Sequence, residues 1–330
     1  MKIVLTRLDR VGDLILSTPA IASVRRSWPQ AHVTIVCSRL NAAVMERHPD
    51  VDRVIVAPSP RSAAAIGRDF RGQCDLAIAL APCVPDFQLV GATRAAVRVG
   101  YTYRRRYLAR ATSWLFVNRF TVDDADPLLA DRFPDRPVAH EVDQVLELLP
   151  IAGGTPSYRD VVVPIDDVDR HAVDHVPPGC IAFHLGLRWC YGGATIDSAI
   201  QAIAELRTLG RPVVVTYGIE ALEAAAKVRE AHAADAVVGG LSFRQWAAAF
   251  EKSALVVTVD TGATHVASAM RRPTVVLFEH RYYRLSSQEW APYRVPSVSL
   301  RKPAGESPEE LASTRAQILE AARRLLSDAT

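Results

Sequence analysis

The sequence predicts an α/β protein built from two Rossmann-like domains that face a cleft. Short β-branched runs alternate with longer amphipathic stretches along most of the 330 residues. The runs are too apolar for strands with one wet face, so we expect parallel sheets covered on both sides. A proline-marked, acidic stretch then interrupts the alternation, which restarts near Gly179. We therefore predict domains of residues 1–160 and 161–330, with a final helix that could pack back on the first domain.

The first half predicts strands separated by helical patterns. The strands are KIVLT, HVTIVCS, RVIVAP, DLAIALAP and AVRVG. A helix is expected over Asp13–Ser27 and another near Asn41–Arg47. The stretch HEVDQVLELLPIAGGTP predicts a further helix that ends at Pro150, before a Gly-Gly turn.

The second half repeats the alternation. The strands are CIAFHLG, RPVVVTYG, DAVVGG, ALVVTVD and RPTVVLFE, with helices over Thr195–Leu209, Glu220–Ala231, Ser242–Lys252 and from Gly262. The tail predicts a long helix, because Ser307 and Glu310 have the spacing of a capping box.

Composition excludes several classes of protein. With 49% hydrophobic and 23% charged residues, the chain is globular, and its net charge of +3 is too small to indicate a nucleic-acid binder. Five scattered cysteines without a C-x-x-C pair argue against a disulfide framework and favour the cytoplasm. No signal peptide or membrane span is expected, so membrane contact would be peripheral at most.

One junction carries a concentrated set of polar residues. In VVTVDTGATHVASAM, the strand leads to Asp260, and a helix begins at Thr261 or Gly262. The free N–H groups of a helix start bind anions, and glycine allows a phosphate to approach closely. His265 lies one turn along the same face. Helix capping by Asp260 or Thr261 is the structural alternative, but the position beside a cleft favours a ligand site.

A second junction lies near the N-terminus, in TRLDRVGDLILSTPAI. Gly12 makes the turn, and Asp13 stands in the first turn of the helix. The carboxylate either complements the helix dipole or serves as a general base, and the pattern fits both interpretations equally.

Two further loops follow strands of the second half. Arg188, in FHLGLRWCYGG, is a phosphate clamp or a solvated surface arginine. Glu220, in TYGIE, either accepts hydrogen bonds from a ribose or is an acid at a helix start. The arginines and aromatics of residues 98–116 are typical of a solvated helix face, and binding of an anionic acceptor is the minor alternative. No spacing indicates a metal site or a nucleophile elbow.

Together these stretches resemble glycosyltransferase family 9, the heptosyltransferases. RLDRVGDLILSTPAIASVRRSWPQAHVTIVCS is similar to the family's R-x(4)-G-D-x(5)-P opening, and VVTVDTGATHVASAMRRPTVVLF to its D-T-G-x-x-H hallmark. HEVDQVLELL and YGIE fit as well, so the resemblance covers nearly the whole chain.

The resemblance implies a GT-B fold and an inverting, metal-independent transfer from a nucleotide-sugar, typically ADP-heptose, to an acceptor hydroxyl. No cofactor and no protein partner are implied. Carried over by motif, Asp13 matches the general base, Asp260 the residue near the donor sugar, and Glu220 the ribose-binding glutamate. Thr261, Gly262 and His265 match the diphosphate-binding residues, which Arg188 would complete. Leu241 falls where an apolar residue packs on the adenine.

Two loops depart from the family pattern. A lysine followed by x-W-P is usual after FHLG, whereas Tyr191 stands near that position here. After the last core strand the usual G-P-T is replaced by Glu279, His280 and Arg281. We therefore count these three residues, with Arg10 and Gly12, as acceptor-side candidates.

These departures leave several hypotheses open. We expect a less usual acceptor, such as a soluble aminoglycoside or nucleoside-type metabolite, in place of the lipopolysaccharide core. A lipopolysaccharide core heptosyltransferase and a nucleotide-sugar-binding protein without transfer activity are the alternatives. A sugar-nucleotide epimerase fits the hallmarks less well.

Overall fold

The computed structural model describes residues 1–328, which form two compact units. The first unit spans Met1–Pro164, and the second begins at Ile165. Each contains one six-stranded sheet in which the pairs of neighbouring strands are parallel. No helix within residues 1–328 is long and apolar enough to cross a membrane.

The sheet of the first unit has the strand order β3-β2-β1-β4-β5-β6. Its strands are β1 Lys2–Arg7, β2 His32–Ser38, β3 Arg53–Ala57, β4 Leu76–Ala79, β5 Val97–Tyr103 and β6 Arg119–Asp123. Its helices are α1 Val11–Ser27, α2 Ala63–Asp69, α3 Val84–Thr93, α4 Tyr107–Thr112, α5 Pro127–Arg132, α6 Glu141–Leu146 and α7 Leu148–Ala152.

The second sheet has the order β12-β11-β10-β7-β8-β9. Its strands are β7 Ile181–Leu185, β8 Val213–Tyr217, β9 Ala236–Val238, β10 Leu255–Val259, β11 Thr274–Phe278 and β12 Ser297–Arg301. Its helices are α8 Asp167–His171, α9 Ile196–Leu206, α10 Leu222–Glu230, α11 Phe243–Glu251, α12 Gly262–Ala269, α13 Tyr283–Glu289 and α14 Pro308–Ser327.

Helix α1 carries a proline in its interior, and a neighbouring hydroxyl compensates for it. Pro19 has no N–H to donate to the carbonyl of Ile15, four residues earlier. The hydroxyl of Thr18 donates to that carbonyl instead, at 2.7 Å. Because every residue from Gly12 to Val24 is buried except Asp13, the helix runs through the interior of the unit, and packing holds it together across the proline.

The predicted end of a helix at Pro150 is wrong. The helical pattern breaks at Glu147, between α6 and α7, and Pro150 lies inside α7. A proline ring clashes with the carbonyl four residues earlier, here that of Leu146, so the break falls before the proline. The chain leaves α7 at Gly153, whose positive φ of 93° suits glycine.

Two strands, β6 and β12, were missed by the sequence patterns. Each lies at the edge of its sheet, and most of its residues are only partly buried. Edge strands need fewer apolar residues than central strands, so they give a weaker signal. The helix expected near Asn41–Arg47 is a short 3₁₀ turn over Ala42–Met45.

The capping box predicted for the tail is present at the start of α14. The hydroxyl of Ser307 accepts from the Glu310 N–H, and the Glu310 carboxylate accepts from the Ser307 N–H. Ile318, Ala322 and Leu325 of this helix are buried in the core of the second sheet, and α14 packs against α9.

Candidate active site

The carboxyl edge of the second sheet gathers the predicted donor-site residues. In spatial order, the segments that leave this edge carry Glu279 after β11, Asp260 after β10, Arg188 after β7, Glu220 after β8 and Leu241 after β9. The strand order reverses between β10 and β7, and ligands of open parallel sheets bind at such a reversal. Asp260 and Arg188 therefore flank the position where a ligand is expected.

Arg188 and Asp260 form an ion pair across this reversal. Nη1 of Arg188 donates to Oδ2 of Asp260 at 2.6 Å and to its backbone carbonyl at 2.7 Å. The side chains are only 29% and 18% exposed. Arg188 is thus not a solvated surface arginine, and it holds a guanidinium beside the start of α12.

The residues after Asp260 build the start of α12. Thr261 is the N-cap, and its hydroxyl accepts from the Ala263 N–H at 3.4 Å and donates to the Val259 carbonyl at 3.2 Å. The capping interpretation therefore holds for Thr261. Gly262 begins the helix, so the first turn offers backbone N–H groups at the edge of the sheet.

His265 lies in the same helix and is only 4% exposed. Its position one turn after Gly262 is as predicted, but the ring is packed inside the unit.

Glu220 lies in a 3₁₀ turn directly after β8 and is exposed. Its carboxylate folds over the backbone of Gly218, where a Cβ would come within 2.3 Å of a carboxylate oxygen. Glycine at 218 therefore allows this position of the carboxylate. Leu241 is half-buried and packs on a small core cluster that includes Val214 and Ala248.

The loop that contains Tyr191 lacks the family's lysine in its own sequence, but a lysine from another segment contacts it. Lys302, directly after β12, donates from Nζ to the carbonyl of Tyr191 at 3.1 Å and to Oε1 of Glu279 at 2.8 Å. Glu279, predicted on the acceptor side, is thus engaged by a buried ammonium. Its other oxygen lies 2.7 Å from where a Cβ on Gly192 would stand.

The other two residues of that segment lie at its surface. Nδ1 of His280 is 3.2 Å from the carbonyl of Lys302, and the side chain of Arg301 contacts its Nε2. Arg281 is exposed, and its guanidinium lies over the Tyr282 ring at 5.2 Å from the centroid.

In the first unit, Asp13 stands in the first turn of α1 at the carboxyl end of β1. Its carboxylate is 18% exposed and lies 3.8 Å from the guanidinium of Arg7. Burial, together with the neighbouring carboxylates of Asp9 and Glu141, raises the pKa of Asp13 to about 7 against the opposing effect of Arg7. A carboxylate with a pKa near neutrality is suited to accept a proton as a general base.

Arg7 is the buried centre of this cluster. It is 2% exposed and makes a bidentate pair with Asp9 at 3.0 and 3.1 Å and a bond to Oε1 of Glu141 at 2.8 Å. The hydroxyl of Tyr101 donates to the same Glu141 oxygen at 2.9 Å. Arg10 and Gly12, the two acceptor-side candidates near the start of α1, differ in solvent exposure: Gly12 is buried and Arg10 is exposed.

A second carboxyl group of the first unit is also protonated more readily than usual. Asp86 is fully buried, and burial raises its pKa to about 7. Its Oδ1 accepts from the hydroxyl of Thr6 at 2.9 Å and from the Leu8 N–H at 3.1 Å. These bonds hold the segment after β1, which leads to Asp13.

The arginine- and aromatic-rich stretch forms β5, α4 and a 3₁₀ turn. Tyr107, Leu108, Trp114 and Leu115 are more than half exposed. Arg106 and Arg110 lie over the rings of Tyr103 and Tyr107 at 4.7 and 5.6 Å from the centroids. The structure thus leaves an apolar and basic surface on this unit.

Sequence patterns did not identify several residues of these sites. Lys302, Glu141, Asp86 and Tyr101 were not singled out as site residues, because each comes from a segment remote in the chain. The one available signal was a charged residue at the end of an apolar strand, which describes Arg7.

A family model described as glycosyltransferase family 9 (heptosyltransferase) matches residues 201–317. No match was found among curated proteins. The predicted resemblance to this family is therefore confirmed for the second unit, where the match includes Asp260, Thr261, Gly262 and His265.

Solved structures match over almost the whole chain. The glycosyl transferase family 9 protein from Veillonella parvula DSM 2008 has a TM-score of 0.78 at 21% identity, over 99% of this chain and 97% of that one. ADP-heptose lps heptosyltransferase II of E. coli has a TM-score of 0.75 at 19% identity, over 99% of both chains. E. coli heptosyltransferase WaaC with ADP-2-deoxy-2-fluoro heptose has 0.69 at 21% identity, over 97% and 99%. The predicted α/β class with two Rossmann-like domains, of the GT-B type, is confirmed.

The raised pKa of Asp13 has a measurable effect on stability. Because the folded state binds this proton more tightly than the unfolded chain, stability is lost as the pH rises from about 4 to about 7. Asp13→Asn has no such proton. The free energy of unfolding of the variant, relative to that of the natural protein, should therefore rise by about 1–3 kcal/mol across this pH range, and the difference should stay constant above it. Equilibrium urea unfolding at a series of pH values measures the difference.

The exposed Glu320 on α14 provides the control, because Glu320→Gln should keep the pH profile of the natural protein. Parallel profiles for Asp13→Asn and the natural protein would show that Asp13 ionises as an ordinary surface carboxylate does.

Proposed function

We propose that the protein is a glycosyltransferase that moves a heptose, or a related sugar, from an ADP-sugar to an acceptor hydroxyl. The family match over residues 201–317 supports transfer from a nucleotide-sugar. The observation that carries the proposal is the ion pair of Arg188 and Asp260 beside the start of α12. It combines a guanidinium, backbone N–H groups and a carboxylate at the reversal of strand order.

The diphosphate is proposed to bind at the start of α12. Backbone N–H groups of the first turn donate to it, and Gly262 allows it to approach the backbone. The Thr261 hydroxyl, which donates to the Val259 carbonyl in the free protein, is proposed to turn and donate to the diphosphate when it binds. The hydrogen bonds of Arg188 to Asp260 come from Nη1 alone, so Nε and Nη2 are proposed to donate to the phosphates. These donors stabilise the negative charge that grows on the leaving ADP.

The rest of the donor would lie along the same edge. Asp260 accepts hydrogen bonds from the sugar hydroxyls, and Glu220 from the ribose. Leu241 packs on the adenine, and His265, one turn after Gly262, is proposed to contact the diphosphate. The donor is proposed from likeness to structures such as the E. coli heptosyltransferase solved with an ADP-heptose analogue.

Asp13 is proposed as the general base. As the acceptor oxygen forms its bond to C1 of the sugar, the bond from C1 to the ADP phosphate oxygen breaks, and the hydroxyl proton passes to the Asp13 carboxylate. Attack from the face opposite ADP inverts the anomeric centre. In this proposal the charge of the leaving group is met by protein donors, without a metal ion or a cofactor.

For the acceptor we propose a soluble hydroxyl-bearing metabolite of the aminoglycoside or nucleoside type. The support is the replacement of the family's G-P-T turn by Glu279, His280 and Arg281, which alters the rim of the site. Arg10 and Gly12 would line the acceptor side near Asp13. We place the reaction in the cytoplasm, where the five free cysteines would stay reduced.

Donor choice is tested by thermal shift with ADP-heptose, ADP-glucose, GDP-mannose and UDP-glucose. ADP-sugars should raise the melting temperature by several degrees at saturation, because they bind only the folded state. Arg188→Met should lose the shift, whereas Arg323→Met, a surface substitution on α14, should keep it. Absence of a shift with every ADP-sugar would exclude the proposed donor.

The role of Asp13 is tested by separating binding from turnover. Asp13→Ala should lower kcat by about 10²–10⁴-fold while the Kd for ADP, measured by calorimetry, stays within about twofold. Glu220→Gln should show the opposite pattern, with weaker ADP binding. Unchanged turnover in Asp13→Ala would remove Asp13 from the reaction, and ADP binding without turnover in the natural protein would favour a nucleotide-sugar-binding protein.

A further inference from the structure

The ammonium of Lys302 is buried at the carboxyl edge of the second sheet. The side chain is 0% exposed, although it directly follows the edge strand β12. Its backbone N–H donates to the carbonyl of Phe278 at 2.9 Å, which ties the residue to the end of β11. A buried lysine at the rim of a binding site needs a reason, because removing an ammonium from water is costly.

Each of the three N–H groups of Lys302 has an acceptor within reach. Nζ donates to Oε1 of Glu279 at 2.8 Å, to the carbonyl of Tyr191 at 3.1 Å, and to the carbonyl of Arg188. The ammonium also lies 5.6 Å from the centroid of the Tyr191 ring. Two of the three acceptors are therefore backbone carbonyls of the short segment that carries Arg188.

This segment, residues 187–193, has little regular structure of its own. It contains one 3₁₀ turn over Leu187–Trp189, followed by Gly192 and Gly193 with φ of 66° and 84°. Its far end packs closely, since a Cβ on Gly193 would lie 2.3 Å from the carbonyl of Pro303. Its carbonyls at 188 and 191 point towards a single cation, so removal of that cation would free the centre of the segment.

The charge of Lys302 is matched locally. Burial lowers the pKa of Lys302, and its hydrogen bond to Glu279 opposes this change. Glu279 therefore favours the charged ammonium, and a charged ammonium makes stronger hydrogen bonds to carbonyls than a neutral donor does.

We propose that Lys302 is a positioning residue for the donor site. It fixes the backbone of residues 188–191, so that the Arg188 guanidinium stays beside Asp260 and the start of α12 before the diphosphate arrives. The donor half of this inference rests on the proposed function of the same site. A fixed guanidinium binds a phosphate more tightly than a mobile one, because less side-chain entropy is lost on binding.

The test combines hydrogen exchange with ADP binding. In Lys302→Met, peptides covering residues 187–193 should exchange at least tenfold faster, and the Kd for ADP should rise at least tenfold. Lys252→Met is the matched control, because Nζ of Lys252 also donates to a carbonyl, that of Val173 at 2.8 Å, and lies near Asp174. That control should leave both the exchange of residues 187–193 and the ADP affinity unchanged.

A double variant keeps the test valid if Lys302→Met does not fold. Lys302→Met with Glu279→Met removes both charges, and an apolar pair in place of an ion pair is usually tolerated. The double variant should fold and still show fast exchange and weak ADP binding. If the role of Lys302 is purely structural, the exchange of residues 187–193 and the Kd for ADP should both return to the natural values in the double variant. That result would overturn the proposal.

The two proposals fail in different ways. If the natural protein does not bind ADP, the proposed function is wrong, and the exchange of residues 187–193 alone decides whether Lys302 holds the segment. If the natural protein binds ADP and the folded Lys302→Met variant matches it in exchange and affinity, the positioning role is wrong.

Discussion

Each unit of this protein buries one cation at the carboxyl edge of its parallel sheet, and the chemistry of that edge depends on how the charge is matched. In the first unit, Arg7 is surrounded by Asp9, Asp13 and Glu141. In the second, Lys302 is held by Glu279 and two carbonyls. A buried charge is tolerated only with such partners, so each cation fixes the polar groups around it at the end of the sheet where a ligand is expected.

The surplus of carboxylates over cations in the first unit has a functional consequence. The N–H groups of Arg7 donate to Asp9, Glu141, Ser17 and the Leu80 carbonyl, so Asp13 is left at 3.8 Å from its charge, with a raised pKa. The buried ion pair thus leaves Asp13 with a carboxylate that is suited to accept a proton. In the second unit, Lys302 is paired with Glu279, and Arg188 is paired with Asp260.

Local sequence patterns predicted most of the central fold and the junction at Asp260, because strands such as β10 are apolar and the residues of that junction are neighbours in the chain. They failed where the determining contact is remote. Glu141, one of the partners of Arg7, lies 134 positions away from it in the chain. Lys302, which donates to the carbonyl of Arg188, lies 114 positions away from that residue. The sequence of the loop shows Tyr191 where the family has a lysine. It does not show that Lys302, which follows β12, contacts that loop in the structure. The edge strands β6 and β12 were missed because their half-exposed residues lack the apolar run of a central strand.

The central claim is that the start of α12 binds the diphosphate of the donor. Titration of ADP into ¹⁵N-labelled protein, followed by backbone amide resonances, tests it most directly. The account predicts that the amides of Gly262 and Ala263 shift and saturate with ADP, because the Gly262 N–H donates to a phosphate and the Ala263 N–H, which donates to the Thr261 hydroxyl in the free protein, lies in the same turn. Saturation of other resonances by ADP with these two amides unchanged would contradict the account.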